Sequence, residues 1–373
     1  MKKKFNILTT VLIIIGIVFS SVFFVGAAST IAKKVSFTSK NIKTIFDVKN
    51  YRYNGTSSTN LGGISVGAAN NRLFCVKSNS GEEIGTFYYY NNIYDKGFSD
   101  GTKLPKRIVF IDGLLGHANA MAIDDKYVYV TMWQKNGTEK NSIIRISRRA
   151  ISHLKDGDVV SKKKKTVTVE KTGEKIKIYD VFEPKTESGE AYSKKIGSIT
   201  RYSYNKTAGR TKFIIGYSNG KSTLGFTFAT ITDSGLTVST SKDDIFYVKN
   251  TAKDGTTATI QDIFYDSAYG LFIAMWNGGV KNQVLRANIK GISSKENRTC
   301  EPIQVISIVK ESDQNGTLEM FEIESMAFVK RDSDKNSIDY RFIFSCNKDP
   351  VGDTQKDSIE ELVGFSSKVP KLS

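Results

Sequence analysis

Short apolar segments separated by polar turns make up most of the chain. In residues 116–133, a small or polar start leads into a short apolar segment, a polar turn and a segment of β-branched and aromatic residues that ends in Met-Trp. The same order, with the same closing pair, returns at residues 261–276. Looser copies begin near Gly62, Gly197 and Glu324. A unit that recurs roughly every 60 to 75 residues in this way predicts repeats built from short strands.

Turn residues mark the same place in each repeat. Second strands end at Asn79-Ser80-Gly81, Asn136-Gly137, Asn219-Gly220, Asn277-Gly278-Gly279 and Asn347. Asn and Gly tolerate the positive φ of tight hairpins, so these segments link second to third strands. Leu271 to Trp276 is apolar at successive positions, which is typical of a strand packed on both faces. The pattern predicts an all-β fold, a five-bladed β-propeller of four-stranded antiparallel blades.

The ring needs a strand from the N-terminus to close. The fifth repeat stops one strand short, at about Phe365, whereas residues 44–49 nearly duplicate residues 244–249, the last strand of the third repeat. An open ring would leave unpaired sheet edges, which invite aggregation. We therefore expect Ile45-Phe46-Asp47-Val48 to pair with Leu362-Val363-Gly364-Phe365 as the outer strand of the last blade, within one propeller domain at residues 42–368.

The N-terminal segment predicts export. Three lysines after Met1 precede an apolar run over residues 7–25, and small residues follow at Gly26-Ala27-Ala28. We interpret residues 1–27 as a signal peptide cleaved after Ala27, with an uncleaved N-terminal membrane anchor as the alternative. Residues 28–41 are polar and are expected to be a linker. Either interpretation places the protein outside the cell or on the extracellular face of the cytoplasmic membrane.

The chain is basic, with 54 Lys and Arg against 38 Asp and Glu, and loss of the signal lowers its net charge from +16 to +13. Such a surface attracts anionic glycans and cell-wall polymers, although lysine also keeps sheet edges soluble. The run Lys162–Lys165 is either a solvated hairpin tip or a polyanion contact. No basic helix or nucleic-acid module occurs, so specific nucleic-acid binding is not expected. Three cysteines and two histidines predict neither a disulfide framework nor a zinc site.

Candidate ligand-binding residues follow from blade geometry, because inner strands start at the end of the blade where second strands finish. Inner-strand starts contribute His117, Asn119, Lys195, Gln261, Asp262, Glu322 and Glu324. Second-strand ends contribute Trp133, Ser218, Trp276 and Cys346 in one aligned column. Exposed Trp beside Asn and Gln suits stacking on a sugar ring, although both Met-Trp pairs would also fill space between blades. The predicted ligand-binding set is Trp133, Trp276, His117, Asn119, Gln261 and Glu324.

The acidic residues leave a second hypothesis open. Asp262, Glu322 and Glu324 suit a general acid and base or, together with Asn119, oxygen ligands for calcium. Because side chains alternate along a strand, only one of Gln261 and Asp262 can face the channel, and alignment with Asn119 and Glu324 selects Gln261. No nucleophile, phosphate-loop or nucleotide motif occurs. No catalytic residue and no metal ligand is assigned, and no cofactor beyond calcium is suggested.

By its repeats the chain resembles the β-propeller superfamily over about residues 42–368, and its repeat count is similar to that of five-bladed secreted members. Those members include glycan-cleaving enzymes and lectins, but no motif specific to one family is matched. Glu324 and Asn119 are similar to the calcium ligands of six-bladed lactonases. The resemblance implies the fold, while the candidate residues lead us to expect a monomeric secreted module that binds a glycan or another surface ligand on one face and meets the membrane only through its N-terminal segment. A metal-assisted glycan hydrolase or lactonase and a structural adhesion domain are the alternatives, so catalysis stays open.

Overall fold

The computed structural model describes residues 32–67, 72–91, 93, 104–132, 141–205, 210–220, 222–251, 259–292, 298–313, 316–333 and 337–372. Within these residues, five sheets of at least four strands follow one another along the chain, and we number them 1 to 5. Apart from the N-terminal strand of sheet 5, each runs in chain order from an inner to an outer strand. The predicted all-β fold is confirmed.

Four main positions, ordered from the inner to the outer edge, make up each sheet. Sheet 1 contains Asn60–Gly67, Arg72–Ser78, Ile84–Tyr90 and Arg107–Asp112, and sheet 2 contains Met121–Ile123, Tyr127–Met132, Ser142–Ser147 and Tyr179–Phe182. Sheet 3 contains Ser198–Asn205, Arg210–Asn219 and Thr223–Ile231, whose outer side pairs with both Leu236–Val238 and Phe246–Lys249. Sheet 4 contains Thr259–Asp266, Gly270–Trp276, Lys281–Ala287 and Pro302–Val309, and sheet 5 contains Gly316–Ser333, Ser337–Pro350, Lys356–Leu362 and Ile42–Asp47.

The structure also contains shorter strands and three short helices in its described part. The additional strands are Lys33–Phe37, Arg52–Tyr53, Thr56–Ser57, Asp158–Val160, Thr166–Thr168, Lys175–Lys177, Pro184–Lys185, Thr299–Cys300 and Ser312–Asp313. The helices are Ser39–Asn41, which is of the 3-10 type, Arg148–His153 and Phe365–Lys368. None of the helices in the described stretches is long and apolar enough to cross a membrane. The predicted signal segment, residues 1–27, lies outside the described residues.

The inner strands are arranged as a ring. Each inner strand contacts the inner strands of the sheets before and after it, and that of sheet 5 contacts that of sheet 1. All five inner strands also line one central cavity of about 310 Å³. The fold is therefore a propeller-like ring of antiparallel sheets around a central channel.

The core consists of apolar clusters between successive sheets, which explains why middle strands are apolar at successive positions. In sheet 4, Leu271 and Ile273 join the cluster shared with sheet 3, whereas Phe272 and Ala274 join the cluster shared with sheet 5. Alternate side chains of one strand thus fill two different interfaces. Cys75, Cys300 and Cys346 are buried free thiols within these interfaces, so the described fold contains no disulfide.

The N-terminal strand Ile42–Asp47, which we call the closing strand, completes sheet 5 as predicted. The predicted register is wrong, because Ile42 opposes Leu362 and Asp47 opposes Ser358, so the closing strand lies along residues 358–362 instead of 362–365. The third strand of sheet 5 ends at Leu362. Gly364 then adopts a positive φ of 75°, which turns the chain into the helix Phe365–Lys368 and removes it from the sheet.

Part of the expected linker is also a strand. Lys33–Phe37 runs parallel to Pro302–Val309 and adds a fifth strand to sheet 4. Phe37 is fully buried, and its ring stacks at 6.4 Å from that of Phe365. Lys33 and Lys34 are exposed, as is usual on an edge strand. Because the strand begins with these charged residues, the sequence pattern did not predict it.

Buried charges fasten the closing strand. Glu360, on the neighbouring strand, accepts hydrogen bonds from Thr44 Oγ1 and Lys310 Nζ, both at 2.9 Å, and lies 3.3 Å from Lys348 Nζ. Lys77 of sheet 1 is also buried, pairs with Asp357 and donates to the Val48 carbonyl at 3.0 Å. These contacts connect sheets 4, 5 and 1 to the N-terminal segment.

Candidate functional site

Two of the predicted site residues occupy matching β-bulges on the inner strands. A register shift in sheet 4 makes Gln261 the extra residue opposite the second strand, and the same shift in sheet 5 makes Glu324 the extra residue. The inner strand of sheet 1 is also irregular, at Gly62-Gly63. Bulges redirect side chains and occur often beside functional sites, so these positions mark the start of the channel as a candidate site.

Gln261 and Glu322 join sheets 4 and 5. The Gln261 side-chain amide donates a hydrogen bond to the Glu322 carboxylate. Burial raises the pKa of Glu322 to about 7, although the bond from Gln261 acts in the opposite direction. A carboxyl group that changes protonation near neutral pH therefore lies at the junction of these two sheets.

Glu324 joins sheets 5 and 1. Its Oε1 accepts a hydrogen bond of 2.6 Å from Asn347 Nδ2, which also donates to Asn60 Oδ1 at 2.9 Å. Its buried Oε2 makes no hydrogen bond to the residues that the structure describes. Burial and the neighbouring Glu322 raise the pKa of Glu324 well above its usual range. Burial thus favours the neutral form of Glu324, and its Oε2 is left for a ligand.

Asp262, in contrast, connects neighbouring inner strands. It is fully buried, and its Oδ2 accepts a 2.5 Å hydrogen bond from Ser325 Oγ, which itself accepts from the Ile64 backbone N–H at 3.1 Å. Burial raises the pKa of Asp262 well above its usual range. This chain of bonds ties the inner strands of sheets 4, 5 and 1 together.

Trp276 lies at the same junction of sheets 4 and 5. It is partly exposed at the end of the second strand of sheet 4, and its indole N–H donates to the Gly279 carbonyl at 3.4 Å. The same carbonyl accepts from the backbone N–H of Phe321 at 3.0 Å, and Phe321 directly precedes Glu322. Together Trp276, Gln261, Glu322, Glu324 and Asn347 form what we call the channel-mouth site.

His117 and Asn119 lie between sheets 1 and 2. His117 Nδ1 is 2.9 Å from Glu82 Oε1, a contact between a partly exposed ring and a buried carboxylate. Asn119 is half-buried, and its Oδ1 makes no hydrogen bond among the described residues. The Ala118 carbonyl accepts from the Gly63 N–H at 2.8 Å, so Asn119 directly follows a contact with the sheet 1 bulge. Trp133, the remaining predicted residue, lies outside the described residues.

Asn347 is the residue that the sequence interpretation missed. In sheet 4, Trp276 lies two residues after Ala274, the residue opposite Asp262. In sheet 5, Asn347 lies two residues after Ser345, the residue opposite Ser325. The residue aligned with Trp276 is therefore Asn347, and the predicted alignment with Cys346 is wrong by one position. Asn347 looked like a turn residue because the other second strands end in Asn, yet it is buried within a strand.

No group of three His, Cys, Asp or Glu side chains within the described residues is arranged to hold a metal ion. The acidic residues of the channel-mouth site instead accept hydrogen bonds from side-chain amides, Glu322 from Gln261 and Glu324 from Asn347. This arrangement places paired acceptors and donors near the starts of the inner strands of sheets 4 and 5, next to the partly exposed Trp276. It suits recognition of hydroxyl groups or transfer of a proton.

No family model matches the chain, and no curated protein matches it significantly. Among solved structures, the tail fiber of Staphylococcus aureus phage P68 is similar with a TM-score of 0.47 and 11% identity over 87% of this chain, which spans 54% of that chain. A subtype N11 neuraminidase-like protein of A/flat-faced bat/Peru/033/2010 (H18N11) has a TM-score of 0.34 and 9% identity, with coverage of 90% and 98%.

A Synechocystis apocarotenoid oxygenase mutant is similar with a TM-score of 0.33 and 10% identity, over 84% of this chain and 62% of that chain. These TM-scores and identities are low, so the likenesses carry no argument about function. The propeller-like arrangement rests on the strand pairing within the five sheets and on the contacts between their inner strands.

Proposed function

We propose that the chain is an exported binding module, a closed five-bladed β-propeller that recognises a glycan or another surface ligand at the channel-mouth site. The observation that carries this proposal is the position of Trp276. Its partly exposed ring lies on the same sheet junction as the hydrogen-bonded pair Gln261 and Glu322. An aromatic face beside amide and carboxyl groups is the usual composition of a sugar-binding site.

The acid next to this junction supports a hydroxyl-bearing ligand. Glu324 keeps one buried oxygen without a hydrogen bond to the described residues, and a buried polar atom left in this state costs free energy. A ligand hydroxyl would satisfy that oxygen, whereas an apolar ligand would leave it unsatisfied. We therefore infer that the polar edge of the ligand meets Glu324, which Asn347 holds in position, and that its ring face meets Trp276.

A glycan array probed with the exported domain tests this proposal through Trp276→Ala and Trp276→Phe. Loss of stacking should weaken binding by about 1 kcal/mol, or about fivefold, in the alanine variant, while the phenylalanine variant keeps most of the affinity. The melting temperature should stay nearly constant in both variants. A large drop in the melting temperature of Trp276→Ala without a matching change in affinity would show that the ring only packs the blades.

A second function, glycan or lactone hydrolysis, is favoured by one observation. The pKa of Glu322, raised by burial to about 7, is that of a general acid or base suited to neutral pH, and the carboxyl of Glu324 follows two residues later. The same array separates the two functions, because a hydrolase consumes a ligand that a binding module only retains. Parallel arrays with calcium and with a chelator decide whether such an activity is metal-assisted.

A further inference from the structure

A second concave surface lies far along the ring from the channel-mouth site and shares no residue with it. This groove of about 940 Å³ runs between the outer strand of sheet 2, Tyr179–Phe182, and the outer part of sheet 3 around Leu236–Val238. The lining carries Lys162, Lys165 and Lys177 from the segment between the third and fourth strands of sheet 2, and Lys185, which pairs with Thr237 at the edge of sheet 3 near Thr232 and Ser234. We call it the basic groove.

Most of the lysines in the groove are available to a ligand. Lys162, Lys165 and Lys185 are exposed and form no ion pair with the described residues, while Lys177 pairs with Asp180. The four lysines at residues 162–165 differ in whether they line the groove. Lys162 and Lys165 line the groove, whereas Lys163 does not and Lys164 instead pairs with Asp158 at 2.9 Å.

The acidic residues of the groove are largely engaged by the protein itself. Asp180 accepts from Arg145 at 2.8 Å and pairs with Lys177, and these bonds lower its pKa against the effect of burial. Partial burial alone would raise the pKa of Glu187. Hydrogen bonds, including those from Thr240, outweigh this effect and lower the pKa to about 2. Glu183 and Glu187 are the carboxylates of the lining without an ion pair in the described residues, and the bonds to Glu187 come from uncharged groups. Three lysines without an ion pair, Lys162, Lys165 and Lys185, therefore stand against these two carboxylates, which leaves a small positive excess in the groove.

The aromatic side chains of the groove are also occupied. Tyr179 is buried and its hydroxyl donates to the Ser161 carbonyl at 3.0 Å. The guanidinium of Arg145 covers the ring of Phe182 at 4.9 Å from its centroid. The described lining therefore offers ammonium and hydroxyl groups, but no free aromatic face on which a nucleic-acid base would stack.

We propose that the basic groove binds a linear polymer of polyols joined by phosphodiesters. Lysine ammonium groups are point charges that bind phosphate oxygens from many directions, so they suit a flexible polymer whose phosphates are not held in one bidentate geometry. Threonine and serine hydroxyls of sheet 3, which lie near Lys185 in the same lining, suit the polyol hydroxyls. The groove is much larger than one phosphate, and its lysines come from separate segments, so a chain of spaced charges fits it better than a single anion.

Binding of poly(glycerol phosphate) to the exported domain at low ionic strength tests this proposal. Lys162→Ala with Lys165→Ala should weaken binding about three- to tenfold, since each exposed charge contact contributes up to about 1 kcal/mol. Lys163→Ala with Lys164→Ala removes the same charge from the same run outside the groove and should leave affinity nearly unchanged. All four side chains are exposed, so both double variants should melt like the wild type.

Three results would overturn the proposal. An equal loss of affinity in both double variants would mean that only the net charge of the insertion matters. A single-stranded oligonucleotide with the same number of phosphates that binds as tightly, and with the same dependence on Lys162 and Lys165, would identify the groove as a nucleic-acid site. The absence of measurable polymer binding by the wild type would also refute it. Trp276→Ala should leave polymer binding intact, so this test is independent of the channel-mouth site.

Discussion

Glu322 and Gln261 form one of two hydrogen-bonded side-chain pairs described above between sheets 4 and 5, the other being Asp262 and Ser325. The carboxyl group of Glu322 is partly buried, so its charged form is disfavoured, and the Gln261 amide satisfies one oxygen in either protonation state. Folding therefore shifts the protonation of Glu322 towards the neutral acid. This shift couples the stability of the protein to pH.

Stability should fall as pH rises through the range set by Glu322. An unfolded Glu ionises near pH 4.5, whereas folded Glu322 holds its proton up to about pH 7, so the folded state binds more protons between these values. Glu322→Gln cannot ionise and still accepts from Gln261. From pH 5 to pH 8, the variant should therefore gain about 2–4 °C in melting temperature relative to the wild type.

Glu319→Gln is the matched control for this prediction, because Glu319 is exposed on the same strand and should not alter the pH profile. Some decline with pH should persist in every variant, since burial also raises the pKa values of Glu324 and Asp262. Parallel melting curves for the wild type and Glu322→Gln at all pH values would contradict the assignment.

Among the elements, the closing strand has the largest structural consequence. Thr44 and Asp47 reach the buried charges of sheet 5, Glu360 and Lys348, and Phe46 is fully buried with its ring 4.7 Å from that of Tyr90 in sheet 1. Removing one partner of a buried ion pair leaves the other uncompensated, which destabilises more than the pair itself stabilises. Loss of this strand therefore exposes both an apolar edge and a buried charge.

Two truncations distinguish the closing strand from the strand that precedes it. Removing residues 1–38 deletes Lys33–Phe37 but keeps the ring closed, so we expect a soluble domain with a lower melting temperature. Removing residues 1–48 also deletes the closing strand and should cause loss of cooperative unfolding or insolubility, because the third strand of sheet 5 becomes an open edge. Size-exclusion chromatography and thermal melts check both. Equal behaviour of the two truncated chains would show that the closing strand is dispensable.

At the scale of the whole molecule, both ends of the described chain meet on sheets 4 and 5. The closing strand completes sheet 5, and the C-terminal segment returns to sheet 4, where the Pro370 carbonyl accepts from Arg286 at 2.6 Å and the Leu372 N–H donates to the Ala268 carbonyl at 2.7 Å. The ring is thus fastened by contacts between residues more than 300 positions apart in the sequence.

Export should be followed by cleavage after Ala27, because a basic start, an apolar run and small residues precede that position. N-terminal sequencing of cell-free protein should begin at Ala28, and the protein should elute as a monomer. Substitution of Ala27 by a bulky residue should retain the protein at the membrane. Recovery of membrane-bound protein that still begins with Met1 would establish the anchor interpretation instead.

The sequence by itself determined the all-β fold, the repeat and the need for a closing strand, because these depend on local periodicity and turn chemistry. It also placed Gln261 and Glu324 at equivalent positions. Only the tertiary structure decided the register of the closing strand, the strand at Lys33–Phe37 and the burial of Asn347. Each of these depends on which side chain lies across a sheet interface, and such contacts join residues distant in the sequence. The basic groove could not be predicted for the same reason, because it forms where the segment between the third and fourth strands of sheet 2 lies near sheet 3.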